Sequence, residues 1–226
     1  MIMRNMMAAM VAFVILAAFA ACQSDSYEAG QGPNSLIQAD FVEAHTSALG
    51  LVDRVETDEG HGFSLAQPQE MKWATTPDSL YRALFYYEKA NDSVAKTVSI
   101  SQVPTLHPKQ LKPEETLYTD PVKFESLWLS ANGKYLNLGL YLKNGVAQSD
   151  SLHHTVGMVR KSEATDAVGK RTVCLCLYHN QGGVPEYYSS RYYVSVPCKE
   201  IDADSVVVTI NTYNGAVERR LSLSNR

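Results

Sequence analysis

Two Asn-Gly pairs, Asn132-Gly133 and Asn214-Gly215, each stand between runs in which apolar and polar residues alternate. Both residue types tolerate the positive φ of a type I′ turn, so the pair in that setting is the strongest short-range sign of a β-hairpin. Around the first, Leu136, Leu138, Leu140 and Leu142 share one face, Tyr135, Asn137, Gly139 and Tyr141 share the other, and residues 123–130 supply the partner run. Around the second, Val206, Val208 and Ile210 alternate, and Val217, Leu221 and Leu223 return. Residues 155–160, 172–178 and 187–196 read as further strands between the two hairpins. About seven strands with no helical periodicity predict a β-sandwich over residues 122–226.

Residues 36–103 hold shorter strands. Residues 39–44 alternate loosely, and 49–65 form a meander turning at Asp58-Glu59-Gly60. Residues 81–87, apolar on both faces, read as a well-buried stave, and Asn91-Asp92-Ser93 turns the chain into 96–100. Four or five strands in about 70 residues suit a small closed barrel. Pro104, Pro108, Pro113 and Pro121 break the pattern, so 104–121 reads as an inter-domain linker. The predicted class is all-β, a small barrel followed by a sandwich, with no helix in the mature chain beyond a short turn at Pro77-Asp78-Ser79-Leu80.

The N-terminus carries an address. Arg4, an uncharged run from Met6 and the small residues of Phe19-Ala20-Ala21-Cys22 predict a lipoprotein signal peptide over 1–21, with lipid on Cys22. A retained membrane helix needs about 20 apolar residues, and this run is shorter. Ala18-Phe19-Ala20 also fits ordinary signal peptidase, which would release a soluble protein. Residues 22–35 are polar and read as a flexible tether. The expected location is the bacterial cell envelope, lipid-anchored at the outer membrane. The full chain has net charge −4, and removing Arg4 makes it more acidic. Without a basic patch, nucleic acid is excluded as a partner, because phosphate contacts dominate that affinity. Electrostatic attraction to an anionic bilayer is likewise absent, so the lipid does the anchoring.

No motif fixes a reaction. There is no P-loop, no H-E-x-x-H, and neither G-x-S-x-G nor S-x-x-K in a credible context. His45, His61, His107, His153, His154 and His179 read as surface or partly buried side chains. Asp53, Glu56, Asp58 and Glu59 read as a solvated hairpin tip. Cys174 and Cys176, two apart on a strand, share a face and cannot readily bridge each other. Either could pair with Cys198, or all three could stay reduced; the spacing of zinc sites is missing. No metal or cofactor is expected. The chain has 13 Tyr against 6 Phe and 2 Trp, and tyrosine favours strands and recognition surfaces. In 187–196, Tyr188, Tyr192, Val194 and Val196 take one face and Tyr187, Arg191 and Tyr193 the other. The second face would set two rings about a guanidinium, a platform for a protein or glycan; ordinary cross-strand packing is the alternative.

The stretch Thr75-Thr76-Pro77-Asp78-Ser79-Leu80-Tyr81-Arg82-Ala83-Leu84-Phe85-Tyr86-Tyr87, followed by Val98-Ser99-Ile100-Ser101-Gln102-Val103-Pro104, resembles NigD-like lipoproteins of the Bacteroidota. So does Asp120-Pro121-Val122-Lys123-Phe124-Glu125-Ser126-Leu127-Trp128-Leu129 running into Gly133-Lys134-Tyr135-Leu136-Asn137-Leu138-Gly139-Leu140. The resemblance implies an N-terminal OB-like barrel and a C-terminal β-sandwich, and it carries no catalytic residues. The expectation is a non-enzymatic envelope lipoprotein that binds a protein or glycan. An immunity or inhibitor role linked to bacteriocins, and a hydrolase with an unrecognised site, are the alternatives.

Overall fold

The computed structural model describes residues 36–146 and 152–223. The predicted signal peptide, Cys22 and the tether lie outside the described residues.

Strands β1 (Gln38–Thr46), β2 (Val52–Thr57), β3 (Gly62–Gln69), β4 (Leu80–Lys89) and β5 (Val94–Gln102) close a barrel in the order β1-β2-β3-β5-β4. That is the strand order of an OB-like barrel. Its neighbours are antiparallel except at the β3–β5 seam, which is parallel and pairs only Ser64 with Val94 and Leu65 with Ala95. Alternation sets what faces inward. Val42 and Ala44 of β1, Val55 of β2, Phe63 and Leu65 of β3, and Ala83, Phe85 and Tyr87 of β4 fill the interior. Phe85 stacks on Tyr87 at 4.7 Å between ring centroids. The stave read as apolar on both faces is therefore one-sided, because Tyr86 points to solvent and Arg82, also outward, is buried under the second domain.

The sandwich has seven strands: β6 (Lys123–Leu129), β7 (Tyr135–Asn144), β8 (Thr155–Thr165), β9 (Arg171–Asn180), β10 (Tyr188–Pro197), β11 (Ser205–Thr212) and β12 (Gly215–Ser222). One sheet runs β10-β7-β6 and the other β12-β11-β9-β8. Both Asn-Gly hairpins form, with positive φ at Gly133 and Gly215. The leucine face of β7 enters the core with Val173, Leu175 and Leu177 of β9 and Val206, Val208 and Ile210 of β11. One helical turn, α1 (Cys198–Ile201), was not legible as a helix, because four residues carry too little pattern to show a 3.6 period.

The proline-bearing segment is laced to the sandwich rather than spanning a gap. Leu106 donates its amide to the Ser195 carbonyl at 2.8 Å, Lys109 to that of Met158 at 3.0 Å, and Asp120 to that of His179 at 2.9 Å. The prolines break regular structure, but the amides between them still pair with exposed strand backbones, leaving Leu106 and Val122 buried.

Candidate functional site

The side of β7 turned away from the sandwich core would be solvated in a free sandwich. Here Asn137 and Gly139 are buried beneath the barrel. Arg82 of β4 locks this contact. Its side chain is wholly buried, and Nη1 and Nη2 donate to the two carboxylate oxygens of Asp58 at 2.6 Å each. Nη2 also donates to Asn137 Oδ1 at 3.2 Å and Nε to Ser195 Oγ at 3.3 Å. The Ser195 hydroxyl donates to the same Asn137 oxygen at 2.7 Å. The guanidinium lies 4.3 Å from the Tyr135 ring centroid. Beside it, Phe41 of β1 meets Trp128 and Tyr193 edge-on at 5.5 and 5.2 Å.

Glu43 extends the lock, accepting from Lys134 Nζ at 2.6 Å and the Tyr135 hydroxyl at 2.9 Å. Burial is the largest single influence on its carboxyl and opposes ionisation. The hydrogen bonds and charges of Lys134, Tyr135 and Arg82 together outweigh it and hold Glu43 below its ordinary value. The carboxylate cluster read as a solvated tip is thus corrected at Asp58, which grips Arg82 out of solvent, whereas Glu56, though paired with Lys134, stays partly exposed. A group whose folded pKa is depressed stabilises above its unfolded value, about 4.3 for Glu, and loses that contribution as pH falls through the folded value. Urea midpoints should therefore drop with acid below about pH 4.3. Glu43→Gln should flatten part of that slope, and an unchanged slope would remove Glu43 as its source.

Beside the lock, Leu84, Tyr86, Ser101 and Gln102 of the barrel face Arg191, Tyr192 and Tyr193 of β10 across a groove of about 450 Å³. Tyr86 and Tyr192 are each 39% exposed. Arg191 donates to the Tyr141 hydroxyl at 2.8 Å and pairs with Glu125 at 2.7 Å. Its guanidinium also sits near the Tyr193 ring, at 5.9 Å. The structure therefore brings Arg191 and Tyr193 of the expected platform together and leaves out Tyr187. That ring is 79% exposed and stands just before the start of β10, beside Gly145. Tyr193 contributes mainly as a domain contact, and Tyr86, from the other domain, is the groove's second exposed ring. Its neighbourhood with β10 depends on docking and carries no local sequence signal.

On the other side of β10 an apolar cleft, also about 450 Å³, opens between the two sheets and is lined by Leu106, Leu142, Val156, Val184, Tyr192 and Val194 among others. His154 lines it too. Its Nδ1 lies 3.0 Å from His179 Nε2, its Nε2 lies 3.1 Å from the Lys143 carbonyl, and His179 Nδ1 lies 2.9 Å from that of Asp120. Burial, then the neighbouring imidazole, holds His154 below its ordinary value against the pull of the Lys143 carbonyl. His179 is fully buried, beyond the partial burial expected of the histidines.

No disulfide joins Cys198 to Cys174 or Cys176 among the described residues, which corresponds to the reduced alternative left open by the sequence. Val173, Leu175 and Leu177 take the core side of β9, so Cys174 and Cys176 take its other side, whereas Cys198 is in the core. Burial pushes the Cys176 thiol up. Thiol reagents should modify half-exposed Cys174 first, and a reductant should leave the melting midpoint unchanged; a midpoint that falls under reduction would restore the disulfide. Among the described residues, no three His, Cys, Asp or Glu side chains converge as a metal site.

An OB-ordered barrel locked onto a seven-stranded sandwich, with grooves on both sides of one strand, defines a two-domain all-β protein. A model of the NigD-like C-terminal beta sandwich domain matches residues 104–222, and the chain belongs to the NigD-like family. Among solved structures it is similar to a NigD-like immunity protein from Bacteroides caccae, with 26% identity, a TM-score of 0.61, and coverage of 80% of this chain and 91% of that one. It also shares its fold with a protein described as toxin-related from Parabacteroides distasonis, at 18% identity and a TM-score of 0.60, covering 82% of this chain and 92% of that one. A third structure, described as a lipoprotein from Bacteroides fragilis, has 10% identity and a TM-score of 0.55, covering 82% and 96% respectively. No curated protein matches the sequence.

Proposed function

We propose that the chain is a non-catalytic binding module of the bacterial cell envelope, anchored by lipid on Cys22, that presents the groove between barrel and sandwich to a protein or glycan. The observation that carries this reading is the groove itself, in which exposed Tyr86 of the barrel faces Arg191, Tyr192 and Tyr193 of β10. Rigid aromatic side chains give large contact area at low entropic cost, and the Arg82 lock fixes their spacing. The charged groups at the groove are engaged with one another, Arg191 with Glu125 and Tyr141, as suits a binding surface. The leader and the polar tether support the anchoring.

The test is binding of the full-length detergent-solubilised protein to arrayed envelope glycans and purified envelope proteins, with Tyr86→Ala/Tyr192→Ala beside the parent chain. Loss of about tenfold or more in affinity, roughly two aromatic contacts, supports the groove. Equal affinity removes it, and turnover of any arrayed substrate removes the non-catalytic reading. Cys22→Ser should abolish incorporation of labelled fatty acid. A second reading, immunity to a bacteriocin, is favoured by the similarity to the Bacteroides caccae immunity protein. Unaltered bacteriocin sensitivity in a strain lacking this chain would count against it.

A further inference from the structure

The sheet β10-β7-β6 ends at β10, whose ten residues pair with β7 in unbroken register. Part of the outer edge is already occupied, because the start of the proline-bearing segment lies parallel to it, Thr105 beside Ser195. Ser195 donates its amide to the Pro104 carbonyl at 3.0 Å and accepts from the Leu106 amide at 2.8 Å. Strand geometry alternates, so the amides and carbonyls of Tyr193, Arg191 and Ser189 point to the same outer edge as those of Ser195. The next rung of the parallel ladder would need an amide on residue 104, and Pro104 has none. Pairing therefore stops there. Among the described residues, no backbone group bonds to the outer edge from Ser189 to Tyr193. An unpaired edge of this kind is a template for another strand, and proteins commonly blunt such edges with charge. The edge strand β12 carries Glu218, Arg219 and Arg220. The open stretch of β10 carries only Arg191, which Glu125 already pairs.

The two hollows lie on opposite sides of this edge and share Pro104 and Tyr192 in their linings. A strand laid along Ser189–Tyr193 would project alternate side chains to opposite sides. One set enters the apolar cleft toward Leu106, Leu142 and Val156; the other enters the groove toward Tyr86, Ser101 and Gln102.

We propose that the open edge of β10 receives an extended segment of a partner protein by strand addition, its apolar residues entering the cleft and the alternating polar residues the groove. The unpaired groups recur every two residues, roughly 6.6–6.8 Å, which is the repeat of a polypeptide strand. Main-chain bonds then supply affinity and the flanking pockets supply specificity. The inference deepens the binding reading of the same junction by naming an extended polypeptide as its ligand.

The probe is a random peptide library displayed on phage and selected against the full-length detergent-solubilised chain, with the best binder then synthesised. Ser189→Pro removes one outward amide and crowds the edge without touching the β7 ladder, and should weaken that peptide about tenfold or more. N-methylation of one alternate set of peptide amides should abolish binding while the other set is tolerated. This series uses the unaltered protein and decides the matter if the proline variant does not fold. Hydrogen exchange should slow at Ser189, Arg191 and Tyr193. A selection without binders, or binders indifferent to both Ser189→Pro and N-methylation, overturns the inference. So do binders matching the chain's own residues 23–34 or one of its strands, which would make the tether or a second copy the occupant. A ligand lost on Tyr86→Ala/Tyr192→Ala but unaffected by Ser189→Pro leaves the groove standing and removes strand addition alone.

Discussion

Arg82→Ala is expected to destabilise the folded chain by about 3–5 kcal/mol, the range for removing one partner of a buried ion pair. Truncation leaves the Asp58 carboxylate, only 15% exposed, facing the empty site of its cation. It also takes donors from Asn137 and Ser195 and the cation from over the Tyr135 ring. These partners come from both domains, so the loss should fall on domain coupling as well as on stability. Thermal unfolding should split into two transitions where the parent shows one. A second change provides the control. Asp58→Ala in the Arg82→Ala background removes the orphaned carboxylate and should recover a substantial part of the loss, since a buried pair adds little over neutral packing. A cost below about 1 kcal/mol for Arg82→Ala, the level of a surface pair, would mean that the guanidinium is not the lock.

Phe85→Ala should cost a similar amount, about 3–5 kcal/mol, for a different reason. The ring is fully buried and stacks on Tyr87, and the barrel around it is lined by Ala44, Ala83 and Ala95. Side chains that short cannot move in to fill the void, which puts the site toward the costly end of large-to-small substitutions. The melting midpoint should fall by roughly 10 °C. Phe85→Leu, which keeps most of the volume, should lose much less. Equal losses for the two variants would show that the ring's volume is not what holds the barrel.

Local chemistry made much of this fold legible. Asn132-Gly133 and Asn214-Gly215 specify their hairpins within a few residues, and the leucine alternation of β7 assigns its core face without knowledge of the partner sheet. The barrel strands could be read one by one and their number suited a closed barrel, but the seam that closes it could not be placed, because pairing as short as Ser64–Val94 and Leu65–Ala95 leaves almost no pattern. Long-range partnership was hidden for the same reason. Arg82 sits in an apolar run and Asp58 in a turn, and only docking against Asn137 turns them into a buried pair. His154 and His179 meet across 25 residues. At the candidate site, Arg191 and Tyr193 could be seen as neighbours on one strand face, whereas Tyr86 is brought to them by the other domain. Pro104, read as a breaker, is also the residue that ends pairing along β10.

The contact of Phe41 with Tyr193 has a mechanical consequence. Phe41 belongs to β1, the first strand of the barrel, and Tyr193 to β10, the strand that borders both hollows. A pull applied from the N-terminal side reaches β1 first. Antiparallel neighbours β2 and β4 flank it, so the pull meets their hydrogen bonds in shear rather than one at a time. From β1 the force crosses to the sandwich through Phe41, which touches Tyr193 and Trp128, and through Glu43, which holds Lys134 and Tyr135, and it bypasses the proline-bearing segment. A load on the groove and a load on the N-terminal side therefore meet where the side chains of β1 touch the sandwich, with Phe41 on Tyr193 the contact nearest the groove.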